Sequence, residues 1–187
     1  MPHVRAKLTL SLRENVLIKF SRPFEPGSFT GYVIDIGPRF LLAAVVSDEI
    51  RFNGFSCIRL SDVHKLQAPA KYASFIERAL QKRRERRPKK PSVSIGSLHD
   101  LLLTASRAFP LITIHREKID AGACHIGRVV DLKNGMVYLH EIAPDAVWED
   151  NPDTYRLSEI TRVDFGGDYE DALHLVGGSP KIEPHLH

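Results

Sequence analysis

The sequence predicts a mainly β protein with short helices, built as two tandem five-stranded barrels that each carry a flanking helix. The first observation is a repeat, since "IRLSDVHKL" at residues 58–66 returns as "YRLSEITRV" at residues 155–163. The second is that each copy follows several short β-rich segments separated by turn residues. A basic, proline-containing stretch divides the two series. We therefore expect two copies of one small unit.

The first three strands of each unit are predicted from matching segments. "ENVLIKFSR" and "FPLITIHRE" predict first strands, "SFTGYVIDI" and "CHIGRVVDL" predict second strands, and "GP" and "KNG" supply turns before the third. At an offset of 96 positions, Gly31 falls on Gly127 and Asp35 on Asp131. A glycine inside a strand allows the sharp bend that a small barrel requires.

Helices flank these strands. "KYASFIERALQKRRERR" is predicted to start as an amphipathic helix before Pro88, with one apolar side made of Tyr72, Phe75, Ile76, Ala79 and Leu80. A second helix is predicted after Ser97, which can cap its N-terminus, with an apolar side made of Leu98, Leu101, Leu102 and Ala105. The expected organisation is a first barrel with its C-terminal helix at 1–80, a basic linker at 81–96, and a second barrel with its N-terminal helix at 97–187.

Charge is distributed unevenly along the 187 residues. The net charge of +3 divides into +4 for residues 1–80, +6 for residues 81–90 and −7 for residues 91–187.

No apolar run approaches the roughly 18 residues of a membrane span, so we expect no membrane partner and a cytoplasmic location. Cys57 and Cys124 do not occupy matching repeat positions, which favours reduced structural thiols.

The pattern "VLIKF…GSFTGYVIDIGPRFLLAAVV…CIRLSDVHKL" resembles the Sm-like fold, which includes the Sm/LSm proteins and the RNA chaperone Hfq. The resemblance covers about 50 residues in each half. It implies an N-terminal helix followed by a bent, SH3-like five-stranded barrel, and assembly into rings that bind single-stranded RNA. The base-contacting asparagine of the family falls on Leu41 and Val137, so its RNA pocket is not carried over.

The basic stretch is the strongest functional signal, with seven Lys/Arg between Lys82 and Lys90. Such a run attracts phosphates and releases their counterions. The predicted nucleic-acid-binding residues are Arg39, Arg59, Lys82, Arg83, Arg84, Arg86, Arg87, Lys89 and Lys90. A solvated linker or an anchor for an acidic protein partner explains the same charges, so these alternatives stay open.

We therefore expect a non-enzymatic, Sm-like module that binds single-stranded RNA or other nucleic acid through its first barrel and basic linker. The alternative is a protein-interaction or assembly scaffold. The candidate stacking aromatics, Tyr32, Phe40, Phe52 and Tyr72, lie where core residues are also expected, and burial is favoured for each. The acidic second half and the edge strands of small barrels predict a homo-oligomer.

Catalytic and metal-binding motifs are absent from the sequence. The nine histidines include no HExxH pattern, and neither GxxxxGK[ST] nor GxGxxG is present, so we expect no enzyme, no cofactor and no metal. The acidic group of Asp164, Asp168, Glu170 and Asp171 could hold a cation but is better explained by a turn and a helix N-terminus. Trp148 matches Phe52 in the repeat and is expected in the core.

Overall fold

A computed structural model describes residues 2–24 and 27–180. The chain divides into two compact units, residues 1–90 and 91–187. Each unit has the same order of elements: a helix, four strands, a three-residue 3-10 turn, a fifth strand and a second helix. The duplication that the sequence predicts therefore extends to the helices on both sides of the strands.

The first unit forms one antiparallel sheet with the strand order β5-β1-β2-β3-β4. Its 3-10 turn, Leu60–Asp62, contains the first copy of the repeated "RLSD" segment. The elements of the unit are α1 (Pro2–Glu14), β1 (Leu17–Ser21), β2 (Ser28–Ile36), β3 (Phe40–Val46), β4 (Phe52–Arg59), β5 (His64–Gln67) and α2 (Ala73–Lys82).

The second unit repeats that order as β10-β6-β7-β8-β9. Its 3-10 turn, Leu157–Glu159, lies at the second copy of the repeated segment. The elements of the unit are α3 (Leu98–Ala108), β6 (Ile112–His115), β7 (Cys124–Lys133), β8 (Met136–Glu141), β9 (Asp153–Arg156), β10 (Arg162–Phe165) and α4 (Asp168–Gly177).

The predicted mainly β class with short helices is confirmed, whereas the closed barrels are not. Within each unit the sheet is open, because no described residues form a hydrogen-bonded ladder between β4 and β5 or between β9 and β10. The 3-10 turn instead carries the chain to the opposite end of the strand order, where the fifth strand pairs with the first. Each unit is thus an open five-stranded sheet.

The repeated glycine holds the second and third strands in unusually close contact. A Cβ atom on Gly31 would lie 2.2 Å from the carbonyl oxygen of Ala44, and one on Gly127 would lie 2.1 Å from that of His140. Both strand pairs also contain an irregular register two to four residues further on, before Asp35 and before Asp131. A glycine and a bulge at matching positions favour the same bend in both sheets.

The first sheet is covered on both faces. Leu17 and Ile18, which are adjacent in β1 and so point to opposite faces, belong to different hydrophobic clusters. Leu8 of α1 packs in one cluster, with Val4 and Leu12 partly buried against it. Leu80 of α2 packs in the other. The local sequence pattern of residues 2–14 did not predict a helix there.

The second unit confirms the predicted α3. The Ser97 hydroxyl accepts a hydrogen bond from the Asp100 N–H at 3.1 Å, and the four predicted apolar positions are buried: Leu98, Leu101, Leu102 and Ala105. None of the four helices in the described part of the chain has the length and apolar character that a bilayer crossing requires.

Trp148 lies in the second unit against the cluster of Leu111, Ile126, Ile142 and Leu173. Its indole N–H donates to the Gly177 carbonyl at 3.0 Å, which ties the end of α4 to this cluster. The Ile142–Trp148 bridge corresponds to the Val46–Phe52 pair of the first unit at the predicted offset. Trp148 is therefore a packing residue.

We predict that Gly127→Ala destabilises the protein by about 1–3 kcal/mol, because the added methyl group overlaps the His140 carbonyl and the strands must separate. Urea unfolding followed by circular dichroism measures the shift of the midpoint. Gly96→Ala is the matched control, since its added Cβ would lie 3.7 Å from the nearest atom. Equal midpoints for the two variants would contradict the role of the glycine.

Candidate nucleic-acid interface

The basic arm, residues 83–90, lies along the first unit. At its start, the Arg83 guanidinium donates to the backbone carbonyls of Glu49 and Ile50, in the turn between β3 and β4. Glu85 then forms an ion pair with Arg51 at 3.0 Å and accepts from the Phe52 N–H at 3.3 Å. These contacts fix the first part of the arm beside the start of β4.

Arg87 anchors the middle of the arm. Its guanidinium carbon lies 4.2 Å from the centroid of the Tyr32 ring, and Nη2 donates to the Val33 carbonyl at 3.0 Å. Burial, together with nearby Glu77, raises the pKa of Tyr32 to about 12, so the phenol is neutral at physiological pH. Arg87 is half-buried, and desolvation lowers its pKa from the ordinary value of an arginine. The guanidinium nevertheless stays charged.

Lys90 binds near the C-terminal end of β2 and is the last docking contact of the arm. Its Nζ lies 2.6 Å from Oδ2 of Asp35, whose Oδ1 accepts from the Ile36 N–H at 2.8 Å. In the second unit Asp131 makes the same bond to Leu132, also at 2.8 Å, and pairs with Lys133 at 2.6 Å.

The two aspartates thus share one role and differ in the source of their lysine. The position of Lys133 is Gly37 in the first unit, which has no charged side chain. The arm supplies Lys90 there instead. The second half of the arm is consequently held over β2, from Tyr32 to Asp35.

Docking leaves a defined set of cations exposed to solvent. Lys82, Arg84, Arg86 and Lys89 are all exposed, whereas Arg87 is half-buried and Arg83 and Lys90 bind the first unit. The structure therefore divides the predicted binding residues into positioning contacts and solvent-facing charges. Because Arg83, Arg87 and Lys90 already use N–H donors on groups of the protein, the solvent-facing group is the better candidate for phosphate contact.

Arg39 and Arg59 lie together at the turn between β2 and β3. The Arg39 carbonyl accepts from the Leu60 N–H at 2.9 Å, and Arg59 is paired with Phe40 in the β3–β4 ladder. Arg39 is exposed and Arg59 is half-buried. Lys90 reaches the same end of β2 through Asp35, so the arm leads toward this turn.

Arg5 of α1 also reaches this turn, which the sequence pattern did not predict. Its Nη2 donates to the carbonyls of Gly37 and Pro38, the latter at 2.8 Å. Nothing in the local sequence pairs residues 32 positions apart, so only the packing of α1 on the sheet reveals the contact. Arg5 adds positive charge beside Arg39.

The prediction of burial for the candidate stacking aromatics is wrong for one of them. Tyr32 and Phe40 are buried and Phe52 is partly buried, but Tyr72 is 67% exposed. Phe75, assigned to the apolar side of α2, is 55% exposed. The buried side of α2 is formed by Ala73, Ile76 and Leu80, which are spaced as i, i+3 and i+7 and so turn Phe75 outward.

The second unit contains a partly buried charge cluster around His115. Its Nε2 lies 2.8 Å from Oδ2 of Asp164, and Arg162 lies 3.1 Å from the same carboxylate oxygen. Cys124 faces His115 across the β6–β7 ladder. Desolvation and then the Asp164 charge raise the pKa of the Cys124 thiol, which keeps it neutral and a weak nucleophile.

A second polar network joins β7, β8 and β9. The Tyr155 hydroxyl donates to Glu141 and lies 2.9 Å from Nδ1 of His125, while the Arg116 guanidinium stacks 4.6 Å from the Tyr155 ring centroid. Burial and Glu141 raise the pKa of Tyr155. Hydrogen bonds link Tyr155, Glu141 and His125 to one another, as expected for a structural polar network.

The acidic group identified in the sequence is separated by its contacts. Asp164 faces His115, whereas Asp168, Glu170 and Asp171 lie in the first turn of α4, where the helix dipole favours negative charge. Glu170 accepts from the Thr113 hydroxyl at 2.5 Å, and the N-cap residue of α4 is Gly167. Within residues 2–24 and 27–180, no three His, Cys, Asp or Glu side chains are arranged to hold a metal ion.

Comparisons with known proteins do not assign the chain to a family. No protein-family model, curated protein or solved structure matches the chain. The interpretation of the site therefore rests on the contacts described above.

We predict that Arg87→Gln accelerates tryptic cleavage within the basic arm about fivefold, because losing the Tyr32 and Val33 contacts removes about 1 kcal/mol of docking free energy. Mass spectrometry of the first cleavage products measures the rate. Arg84→Gln removes one charge and one cleavage site without removing a docking contact, so it should leave the rate almost unchanged. Identical rates for the two variants would mean that Arg87 does not hold the arm.

Proposed function

We propose that the protein is a non-enzymatic, tandem Sm-like module that binds single-stranded RNA or other nucleic acid through its first unit. The Sm-like assignment is supported by features that occur twice: a helix before the strands, a glycine inside the second strand, and a 3-10 turn before a fifth strand that pairs with the first. A fold alone does not specify a ligand, so the function must be argued from the surface.

One observation carries the RNA proposal: the basic arm is held against the first unit while Lys82, Arg84, Arg86 and Lys89 face solvent. A free arm would lose conformational entropy on binding, whereas a docked arm has lost much of it already. Arg39 and Arg5 continue the positive charge at the β2–β3 turn. Phosphates spaced along a single strand match such a row of cations.

The second unit is a poor surface for a polyanion. Its net charge is −7, counted from residue 91, and the first turn of α4 presents Asp168, Glu170 and Asp171. These charges repel phosphates and attract basic protein surfaces. We therefore assign nucleic-acid binding to the first unit and assembly to the second.

We predict that a fluorescein-labelled oligo(U) strand binds the protein with a steep salt dependence. Replacing Arg84, Arg86 and Lys89 with Gln should weaken binding at 50 mM salt and reduce the slope of log K against log salt by about 2, since each single-strand phosphate contact contributes about 0.7. Fluorescence anisotropy between 50 and 200 mM salt measures both quantities.

The control for this experiment removes the same charge elsewhere. Arg13, Arg107 and Lys118 are exposed and lie outside the arm, so their replacement with Gln tests the effect of net charge alone. The proposal requires the arm variant to lose more affinity than this control. Absence of binding by the intact protein at 50 mM salt would refute the proposed function.

A second candidate function, self-assembly, is favoured by the edges of the two units. Among the described strands, β5 pairs only with β1 and β9 pairs only with β8, so each presents backbone groups to a further strand. Exposed Lys65 lies on β5, and β9 carries exposed Asp153 at its first position and exposed Arg156 at its last. Pairing that places Lys65 beside Asp153 is favoured by their opposite charges.

We predict a homo-oligomer at tens of micromolar protein, with a mass that is a multiple of the chain mass by light scattering. Lys65→Glu places a like charge on the edge that meets Asp153 and should weaken association. Arg13→Glu makes the same charge change on an exposed residue of α1 and serves as the control. A monomeric mass for the intact protein would exclude self-assembly.

A further inference from the structure

The outward face of α2 combines aromatic and basic side chains. We call it the α2 outer face and define it by Tyr72, Phe75, Arg78 and Lys82. Phe75, Arg78 and Lys82 are spaced as i, i+3 and i+7 and therefore lie on one side of the helix. All four residues are exposed. The opposite side of the helix, with Leu80 at its centre, packs on the sheet.

Exposure of these rings is unusual because burial of an aromatic side chain stabilises a protein more than that of most other residues. Tyr72 precedes the helix in a left-handed conformation, φ 66°, which turns it away from the core side. The Lys71 ammonium lies 4.9 Å from the centroid of its ring. The arrangement leaves the ring of Phe75 open to solvent between cations.

The α2 outer face includes no acidic residue. The single acidic residue of the helix, Glu77, interacts with Tyr32 on the sheet and contributes to raising the Tyr32 pKa. The outer face itself consists of two rings and two cations. It continues directly into the basic arm, since Lys82 is the last residue of α2 and Arg83 the first of the arm.

The equivalent helix of the second unit shows that the duplication does not require this combination. Tyr169 of α4 is 54% exposed, almost as much as Phe75. Its neighbours are Asp168, Glu170 and Asp171. An exposed ring among carboxylates cannot contribute to binding a polyanion, whereas a ring among cations can.

We propose that the α2 outer face is a base-stacking platform for single-stranded nucleic acid, with Phe75 as the stacking ring and Arg78 and Lys82 as phosphate contacts. This inference rests on the proposed function and extends it from the arm to the helix. Every base has a flat aromatic face that can stack, so stacking on Phe75 gives affinity without sequence preference. Arg78 and Lys82 lie one and two turns from the ring and neutralise the adjacent phosphates.

The charge and shape of the face favour a nucleic acid over an anionic membrane. A membrane-surface helix inserts a continuous apolar stripe into the bilayer, but the apolar stripe of α2 is already packed against the sheet. What remains exposed is two rings separated by polar and basic positions. That composition matches the alternation of bases and phosphates in a single strand.

The test uses the full chain and an oligo(U) strand of about twelve nucleotides, within the range of single-strand site sizes, in anisotropy titrations at several salt concentrations between about 50 and 200 mM. Phe75→Ala is expected to weaken binding about five- to hundredfold, the range found for loss of one stacked base, without changing the salt slope. Phe75→Trp should preserve affinity and Phe75→Leu should not. Tyr169→Ala is the matched control, because it removes a ring of similar exposure from the acidic helix.

An abasic strand of the same length separates stacking from charge. The intact protein and Phe75→Ala should bind the abasic strand equally, since it offers phosphates but no bases. Binding of oligo(U) by Phe75→Ala with unchanged affinity would overturn the platform while leaving the proposed function in place. If Phe75→Ala weakened binding to vesicles of anionic lipid and left the affinity for RNA unchanged, the face would be a membrane-binding surface and the base-stacking proposal would be overturned.

Discussion

The close approach of the second and third strands at Gly31 and Gly127 is the constraint on which both units depend. A carbonyl oxygen of the neighbouring strand occupies the place where a side chain would begin, 2.2 Å from the Cβ position of the first glycine and 2.1 Å from that of the second. Such an approach bends the sheet strongly, and the adjacent bulges before Asp35 and Asp131 increase the twist. Bending then brings the first strand into a position where the fifth strand can pair with it, after a turn of three residues.

The two units share one backbone constraint but carry net charges of opposite sign. The bulge aspartate binds the next backbone N–H in both, and its second oxygen binds a lysine in both. In the second unit that lysine is local, whereas in the first it comes from 55 residues further along the chain. Because the first unit has Gly37 where the second has Lys133, its carboxylate is left for the arm to bind. One local difference accounts for the ordered position of Lys90.

Local patterns predicted the elements well and the long-range contacts poorly. The segment "SFTGYVIDI" coincides with β2, and Ser97 with Leu98, Leu101 and Leu102 defines α3, because strand alternation, capping and helical spacing are encoded within a few residues. The outward direction of Phe75 depends on which side of α2 meets the sheet, and no spacing within the helix determines that. The docking of Arg87 on Tyr32 joins residues that are 55 positions apart, so composition alone indicated a linker. The local pattern of α1 did not predict a helix, because three basic residues interrupt its apolar positions, and only the Sm-like resemblance implied one there.

The docking contacts differ in their sensitivity to salt, and this difference bears on how binding by the arm is interpreted. The Lys90–Asp35 pair is largely exposed and is screened by ions at physiological strength. Arg87 is half-buried over Tyr32 and donates to a backbone carbonyl, so screening affects it much less. Raising the salt concentration therefore loosens the end of the arm before it releases the middle. Arg84 and Arg86 both lie just before Arg87 in the sequence, so their charges stay beside the first unit over the salt range in which phosphate contacts weaken. The salt dependence of binding in that range therefore reports counterion release rather than undocking of the arm.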